Sequence, residues 1–551
     1  MLGGYSLVWV LRACTGHPSI PTWAFVAVLI LFDSSVVRLD IGLNWLFARR
    51  VSFPMFGYLR SMALAKVFDM PQEWHQRQQS GALVGKVNDG VGKVVQTSEA
   101  LGRELLPGLV RTTLSMIPLV YFSPLALPFI AAAVGLFAWA SIAENRKRRP
   151  FRKARYTNYA RDFGMFSECL EYVQPIVHFG QTSRILGNYD RLQNTIASEG
   201  VEETRIGAIF GRRRNMVLSV AKRACLGVWI WQYRSGAHPF GNTIDIAMVM
   251  YLSMLLEDLF NSLWGYAGLF ERIQDGIEPA GTLLKLLDER SSLRDSHEPV
   301  AVDEKVSIEL RNVNFTYANG TEVLRNFSMS VEPGTILGIV GRSGVGKTTI
   351  QNLLSRTYDP QQGQILISGK DIRTWPLEQL RSMFAPVTQN GGVFFSDTSV
   401  LDTIRFARPD ATAQQAIAAA KTACIHAEIQ RMPQGYHTII GQRGATLSKG
   451  QQQRLALAQA LVALPDRRIL VLDEFTSALD SKTEQHILTN LAPHLKSRTV
   501  IIIAHRLSTL RKMADKIIVL GPGGILEMGC HDDLIRSGGT YAELASLQAT
   551  A

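Results

Sequence analysis

GRSGVGKTT, from Gly341 to Thr349, carries every fixed letter of the phosphate-loop pattern G-x-x-x-x-G-K-[ST]: Gly341, Gly346, Lys347 and Thr348. ILGIV (Ile336–Val340) precedes it as a buried-strand run, and TTIQNLLSRTY follows with a helix pattern. In such a strand–loop–helix context the glycines let backbone N–H groups turn toward phosphate oxygens, and the helix start adds positive potential. Lys347 is expected to neutralise the β- and γ-phosphates and the Thr348 hydroxyl to hold magnesium, with Arg342, Ser343, Gly344, Val345 and Thr349 completing the cradle. A nucleotide is bound here. What it is used for needs the rest of the chain.

Downstream, RILVLDEFTSALD (Arg468–Asp480) is an apolar strand that ends in two carboxylates. Asp473 is expected beside Mg²⁺, through water, and Glu474 is placed to polarise an attacking water as general base. Upstream, the polar stretch DERSSLRDSHEPVAVDEK has no periodicity and marks a boundary. It divides the chain into residues 1–290, a linker 291–305, and residues 306–551, where short β-rich runs alternate with helices.

At 551 residues the chain exceeds one ordinary domain. Its net charge of +11 suits nucleic acid or an anionic membrane surface equally. The five cysteines include no C-x-x-C pair, so no zinc site or disulfide framework follows from them.

The first part decides between those partners. TWAFVAVLILF (Thr22–Phe32) opens an apolar span that continues to about Phe47. A second span lies around Leu105–Phe122, and ALPFIAAAVGLFAWASI forms a third after the turn at Pro124. A fourth, around Asn215–Trp231, is interrupted by charge, and a fifth begins at Ile246. Each is close to the ~20 residues that a bilayer helix needs. ENRKRRPFRKAR follows the third span, FARR the first, and GRRR precedes the fourth, whereas SPLA and SGAHPFGN hold no Lys or Arg. Basic loops stay cytosolic, so about Ala48–Gly102 and Glu144–Arg214 are expected in the cytoplasm as helical stalks. The expectation is a multi-pass protein of a bacterial inner or plasma membrane, in contact with the lipid bilayer and not with nucleic acid.

A third motif between the other two makes a resemblance specific. LSKGQQQRLALAQAL, from Leu447, matches the LSGGQ signature of ATP-binding cassette (ABC) transporters except at Lys449. APVTQ places Gln389 in that family's Q-loop, where it would join Thr348 and Asp473 around the metal, and SALD matches the D-loop. IIIAHRLST places His505 as the switch histidine, and Tyr317 in NFTYANG matches the aromatic that stacks on adenine. IIGQRG, the stretch Leu59–Gly90 and FSECLEYVQPIVHFG resemble the exporter branch.

The resemblance implies an all-α polytopic membrane domain followed by an α/β P-loop NTPase domain with a helical signature subdomain. It also implies a half-transporter that dimerises head to tail, with itself sooner than with a different partner. Each ATP would be held between one phosphate loop and the other copy's Ser448, Gly450 and Gln451. The Lys449 side chain is expected to point to solvent and leave those donors intact.

The family's six membrane helices leave five complete ones here. MLGGYSLVWVLRAC is about half a span, so either the reading frame starts further upstream, as expected, or most of the first helix is lost. Asp33, Arg38, Asp40, Lys222, Arg223, Glu257 and Asp258 fall inside the spans. Facing lipid at ~2.5–3.5 kcal/mol each they would cost on the order of 20 kcal/mol, so they must pair or face a polar cavity. Lys222 and Glu257 are expected at comparable depth, and a polar or amphipathic cargo is favoured over a simple lipid. The leading reading is ATP-driven export of a small molecule, lipid or peptide. The alternatives are an exporter-shaped importer of metal chelates and an ATPase that regulates another membrane protein.

Overall fold

A computed structural model describes residues 41–42, 44–78, 80–235, 246–291, 293, 295–303, 305–389, 392–441, 447–496, 498–504 and 506–549. The chain divides into two compact units, one built mainly of Trp74–Arg290 and one of Ser291–Ala551.

The first unit is helical. Its main helices are α1 (Phe53–Asp69), α2 (Ser80–Ala100), α3 (Leu106–Phe122), α4 (Leu127–Glu171), α5 (Thr182–Ser235) and α6 (Ile246–Asp288). Among the described residues, three helical runs are long and apolar enough to cross a membrane: Gly81–Phe122, Pro124–Glu171 and Ile246–Asp288. They carry the second, third and fifth candidate spans. The fourth lies within α5, where Lys222 and Arg223 interrupt the apolar run, and α5 is not among the three. The first candidate span, with Asp33, Arg38 and Asp40, lies outside the described residues apart from its last few.

Helix length explains the stalks. At 1.5 Å per residue the 54-residue α5 runs about 80 Å, far more than the ~30 Å of hydrocarbon. Its buried residues Arg214, Leu218, Ala221, Cys225, Trp229 and Gln232 recur every three or four positions, a single stripe. That stripe packs with Leu119 of α3, Ile130, Ala133 and Phe137 of α4, and Leu252, Leu255, Leu256 and Leu259 of α6. Polar pairs pin the bundle: Trp229 Nε1 donates to Ser123 Oγ at 2.6 Å, and the Thr112 and Tyr266 hydroxyls share a 2.7 Å hydrogen bond.

Beyond the apolar part, α4, α5 and α6 are joined by charge. Arg148 bonds Glu144 at 3.1 Å, Glu203 at 3.2 Å and Glu271 at 2.5 Å. Arg152 reaches Glu203 at 3.1 Å and Asp275 at 2.7 Å, Arg155 also reaches Glu203, and Arg214 meets Glu144 at 2.9 Å. Arg148, Arg152 and Arg155 follow i, i+4, i+7 spacing and so share one face of α4. On that face the basic run, expected as a cytosolic flank, forms a half-buried ion network around the buried Glu203 and Glu144.

The second unit holds two main sheets. Strands β1 (Ile308–Thr316), β2 (Glu322–Val331), β4 (Gln362–Ile367) and β5 (Lys370–Asp371) form one, in the order β2-β1-β4-β5. The other is β12-β11-β3-β10-β9-β6. Its strands are β3 (Ile336–Gly341), β6 (Phe384–Val387), β9 (Ile469–Asp473), β10 (Thr499–Ile503), β11 (Lys516–Gly521) and β12 (Gly524–Gly529). A two-stranded pair, β7 (Thr398–Ser399) with β8 (Ile439–Ile440), lies apart from both. β6, β9, β10, β3 and β11 run parallel, and β12 closes the edge antiparallel. Strands β9 and β10 are buried at all five positions each, which is why each carries four consecutive apolar residues.

Candidate functional site

Ligands of open parallel sheets bind beyond the carboxyl ends of the strands, and register places the candidate residues there. Ile503 pairs with Ile339 on one side and with Asp473 on the other. Strand β3 thus delivers the phosphate loop and β9 delivers Asp473 and Glu474, with one strand between them. β6 runs parallel to β9, with Val387 opposite Leu472, and Gln389 follows two residues later.

The phosphate loop leads into α7 (Lys347–Leu354), whose N-cap is Gly346. Gly346 has φ of 104°, and a Cβ on it would lie 2.5 Å from Val323 Cγ1, so both backbone and space demand glycine. Lys347 is 7% exposed, and its ammonium donates to the Gly341 carbonyl at 2.6 Å and that of Arg342 at 3.3 Å. Burial lowers its pKa, with Glu474 and Asp473 acting the other way. Arg342, Ser343, Gly344 and Thr348 are exposed on the same loop, Val345 is half-buried, and Thr349 is buried. Thr349 shares a 2.8 Å hydrogen bond with the Tyr317 hydroxyl, which brings Tyr317 to the loop. The Tyr317 ring stands edge-on to Phe315 and Tyr358.

The carboxylate pair is asymmetric. Asp473 is 4% exposed, and burial, with the Glu474 charge adding and Lys347 opposing, pushes its carboxyl up to about 6. Glu474 is partly exposed and accepts from Gln389 Nε2 at 2.8 Å. Its backbone sits at φ 46°, in the left-handed region that a non-glycine residue adopts only under restraint.

The donor set fits magnesium. Thr348 supplies a hydroxyl, Asp473 a carboxylate, and Gln389 an amide oxygen left over when its nitrogen serves Glu474. All are hard oxygen donors, and Mg²⁺ bound with phosphates needs only one or two protein groups. Among the described residues there is no cluster of three or more His, Cys, Asp and Glu side chains fit to hold a metal.

The signature lies on the start of α8 (Lys449–Ala463). Ser448 is its N-cap: Ser448 Oγ accepts from Gln451 N at 3.2 Å, and Gln451 Oε1 accepts from Ser448 N at 2.8 Å. The Gln451 amide nitrogen goes to Glu428 at 3.0 Å, so this side chain also orders the helix start. Lys449 is exposed, as expected. His505 lies outside the described residues.

Among the residues that escaped the sequence reading is one on the signature helix itself. Gln453 of α8 is buried, donates to Ser477 Oγ at 2.8 Å, and accepts from Ala478 N at 3.1 Å. It fastens the signature helix to the loop that follows Glu474. The third glutamine of QQQ, on the helix face opposite the polar ones, was the available signal.

Comparison with known proteins meets this geometry. A family model described as "ABC transporter" matches residues 324–477, and one described as "ABC transporter transmembrane region" matches residues 25–257. The chain is 30% identical to an ATM1-type heavy metal exporter of Novosphingobium aromaticivorans, over 96% of this chain and 85% of that protein. It is also 30% identical to an ATP-dependent lipid A-core flippase of Chromobacterium violaceum, over 89% and 82% respectively. The solved structure of a bacterial Atm1-family ABC exporter with ATP bound superposes with a TM-score of 0.89 at 28% identity, covering 99% of this chain and 94% of that one.

Proposed function

The chain belongs to the ABC transporter family, as an exporter-type half-transporter that couples ATP hydrolysis to export across a membrane; from that premise we propose that two copies pair and move a polar or amphipathic cargo by alternating access. The cargo class rests on one observation. Lys222 Nζ and Glu257 Oε2 lie 2.9 Å apart in the apolar part of the first unit, yet their side chains remain 47% and 60% exposed. Charges so exposed within a bilayer are costly, so this surface is turned to an aqueous pathway or a second copy.

The ATP chemistry assigns itself to named groups. The phosphate-loop amides and Lys347 hold the β- and γ-phosphates, and Tyr317 receives the adenine, whose π-face tolerates any aromatic partner. Thr348, Gln389 and Asp473 would hold Mg²⁺, which supplies charge neutralisation on the transferred phosphoryl group. Glu474, oriented by Gln389, takes the proton of the attacking water as its oxygen bonds the γ-phosphorus and the bond to the ADP oxygen breaks. Ser448 and the Gly450 backbone of a second copy would donate to the γ-phosphate across the interface. The ATPase unit lies in the cytoplasm in this reading, on the side of the membrane that the Lys- and Arg-rich flanks occupy.

Membrane vesicles of both orientations test the direction and the coupling, with labelled short peptides and amphipathic dyes as probes. ATP-dependent accumulation in inside-out vesicles is expected, and its loss in Glu474→Gln. Accumulation only in right-side-out vesicles loaded with ATP would make the protein an importer. Hydrolysis without accumulation in either would make it a regulatory ATPase.

A further inference from the structure

Glu484 stands ten residues beyond the proposed base, in the first turn of α9 (Ser481–Leu495), and is 5% exposed. An acid at that place suits the helix N-terminus, but Asp480 already caps it, accepting from Lys482 N at 3.1 Å and Thr483 N at 2.9 Å. The Glu484 carboxylate is engaged elsewhere. Its Oε1 accepts from Thr476 Oγ1 at 3.2 Å and from Thr509 Oγ1 at 2.6 Å, and its Oε2 accepts from Arg506 Nη1 at 2.5 Å. The three donors come from three segments: the loop after β9, the arm after β10, and α10 (Leu507–Met513). Arg506 then reaches back with Nη2 to the Leu479 carbonyl at 3.3 Å, which closes a ring.

We propose that Glu484 is a positioning residue for ATP hydrolysis, holding the loop that carries Glu474 to Arg506 and the start of α10. The left-handed backbone at Glu474 survives only if its surroundings over-determine it. Residues 474–480 are held from two sides: Gln453 fixes Ser477 and Ala478 to the signature helix, and Glu484 fixes Thr476 and, through Arg506, Leu479. Gln453 and Glu484 are buried side chains with their polar atoms satisfied, the condition under which such a network rigidifies, and Arg506, whose side chain is 41% exposed, closes the ring from the surface. Glu484 touches no reacting atom. Its effect is on how often Glu474 stands in register with the water.

The inference rests on Glu474 being the base, and the test separates the two. Full-length Glu484→Gln, reconstituted in lipid, keeps the volume but gives up the charged bond to Arg506. A fall in kcat of ten- to a hundredfold is expected, with the KM for ATP and the affinity for trinitrophenyl-ATP within about threefold of the parent. Arg506→Gln should give a similar loss, and the double variant no more than either single one, because both cut the same bond. Unchanged kcat in Glu484→Gln beside an inactive Glu474→Gln would overturn the positioning role and leave the base in place. Normal hydrolysis by Glu474→Gln would instead overturn the base. Multiplicative losses in the double variant would also overturn the coupling. Should Glu484→Gln fail to assemble, Thr476→Val decides: a severalfold fall in kcat at constant KM sustains the role, and parental kcat removes it.

Discussion

Gln389 gives its amide N–H to the Glu474 carboxylate at 2.8 Å, across 85 positions of sequence. The contact is a product of sheet order. β6 lies beside β9, so residues leaving the two strands at the same end meet. The carboxylate proposed as the base, partly open to solvent, is thereby oriented, and the same glutamine keeps its oxygen for another ligand.

Glu474→Gln should retain ATP binding and lose turnover by at least a hundredfold, the usual worth of a positioned general base. The amide preserves size, and Lys347 and the phosphate loop are untouched. Steady-state hydrolysis by the purified variant in lipid, beside trinitrophenyl-ATP binding, measures both halves of the statement. Near-parental turnover would falsify the assignment.

Lys449→Gly, which restores the family's signature glycine, should change ATPase activity by less than about fivefold, roughly 1 kcal/mol of barrier. The reciprocal Ser448–Gln451 box forms with Lys449 in place, and the lysine side chain is exposed. A gain of a hundredfold or more would reveal a site crippled by Lys449 and favour pairing with a different half-transporter.

What the sequence disclosed, and what it hid, divides by range. The phosphate loop, Asp473–Glu474 and the signature are contiguous strings in which each letter does one physical job, so they could be read without a fold. The apolar run of β9 was legible because full burial leaves no alternation to decode. Gln453, Glu484 and Arg506 act through partners 8 to 27 positions away on other elements, and no local pattern announces such contacts. The pairing of the α4 arginines was hidden for a different reason. Arg148, Arg152 and Arg155 sit among Arg146, Lys147, Arg149 and Lys153, and only the helical spacing separates the inward set from the outward one.

Exchange of charges between Lys222 and Glu257 should separate pairing from cargo contact. Lys222→Glu or Glu257→Lys alone sets like charges at the 2.9 Å pair and should lower the Tm by a few degrees. The double exchange should recover that loss, because an ion pair is indifferent to which helix holds the cation. Thermal unfolding in lipid measures it. A double variant that stays as unstable as the worse single one would show that other neighbours, and not the pair, set the charges.

Glu203→Gln should be strongly destabilising to the helical unit. Glu203 is 2% exposed and receives Arg148 at 3.2 Å, Arg152 at 3.1 Å and Arg155. Removing one partner of a buried pair leaves uncompensated charge, at a cost of about 3–5 kcal/mol. Here Glu271 and Asp275 still meet Arg148 and Arg152, so the lower end of that range is expected. At ~2–4 °C per kcal/mol for a unit of this size, the Tm should fall by on the order of 10 °C. Arg205→Gln supplies the contrast: its pair with Glu202 is 70% and 49% exposed, so the Tm should move by no more than ~2 °C. Equal shifts for the two variants would mean that the network is solvated in the assembled protein, and that α4 and α5 are held by their apolar stripe alone.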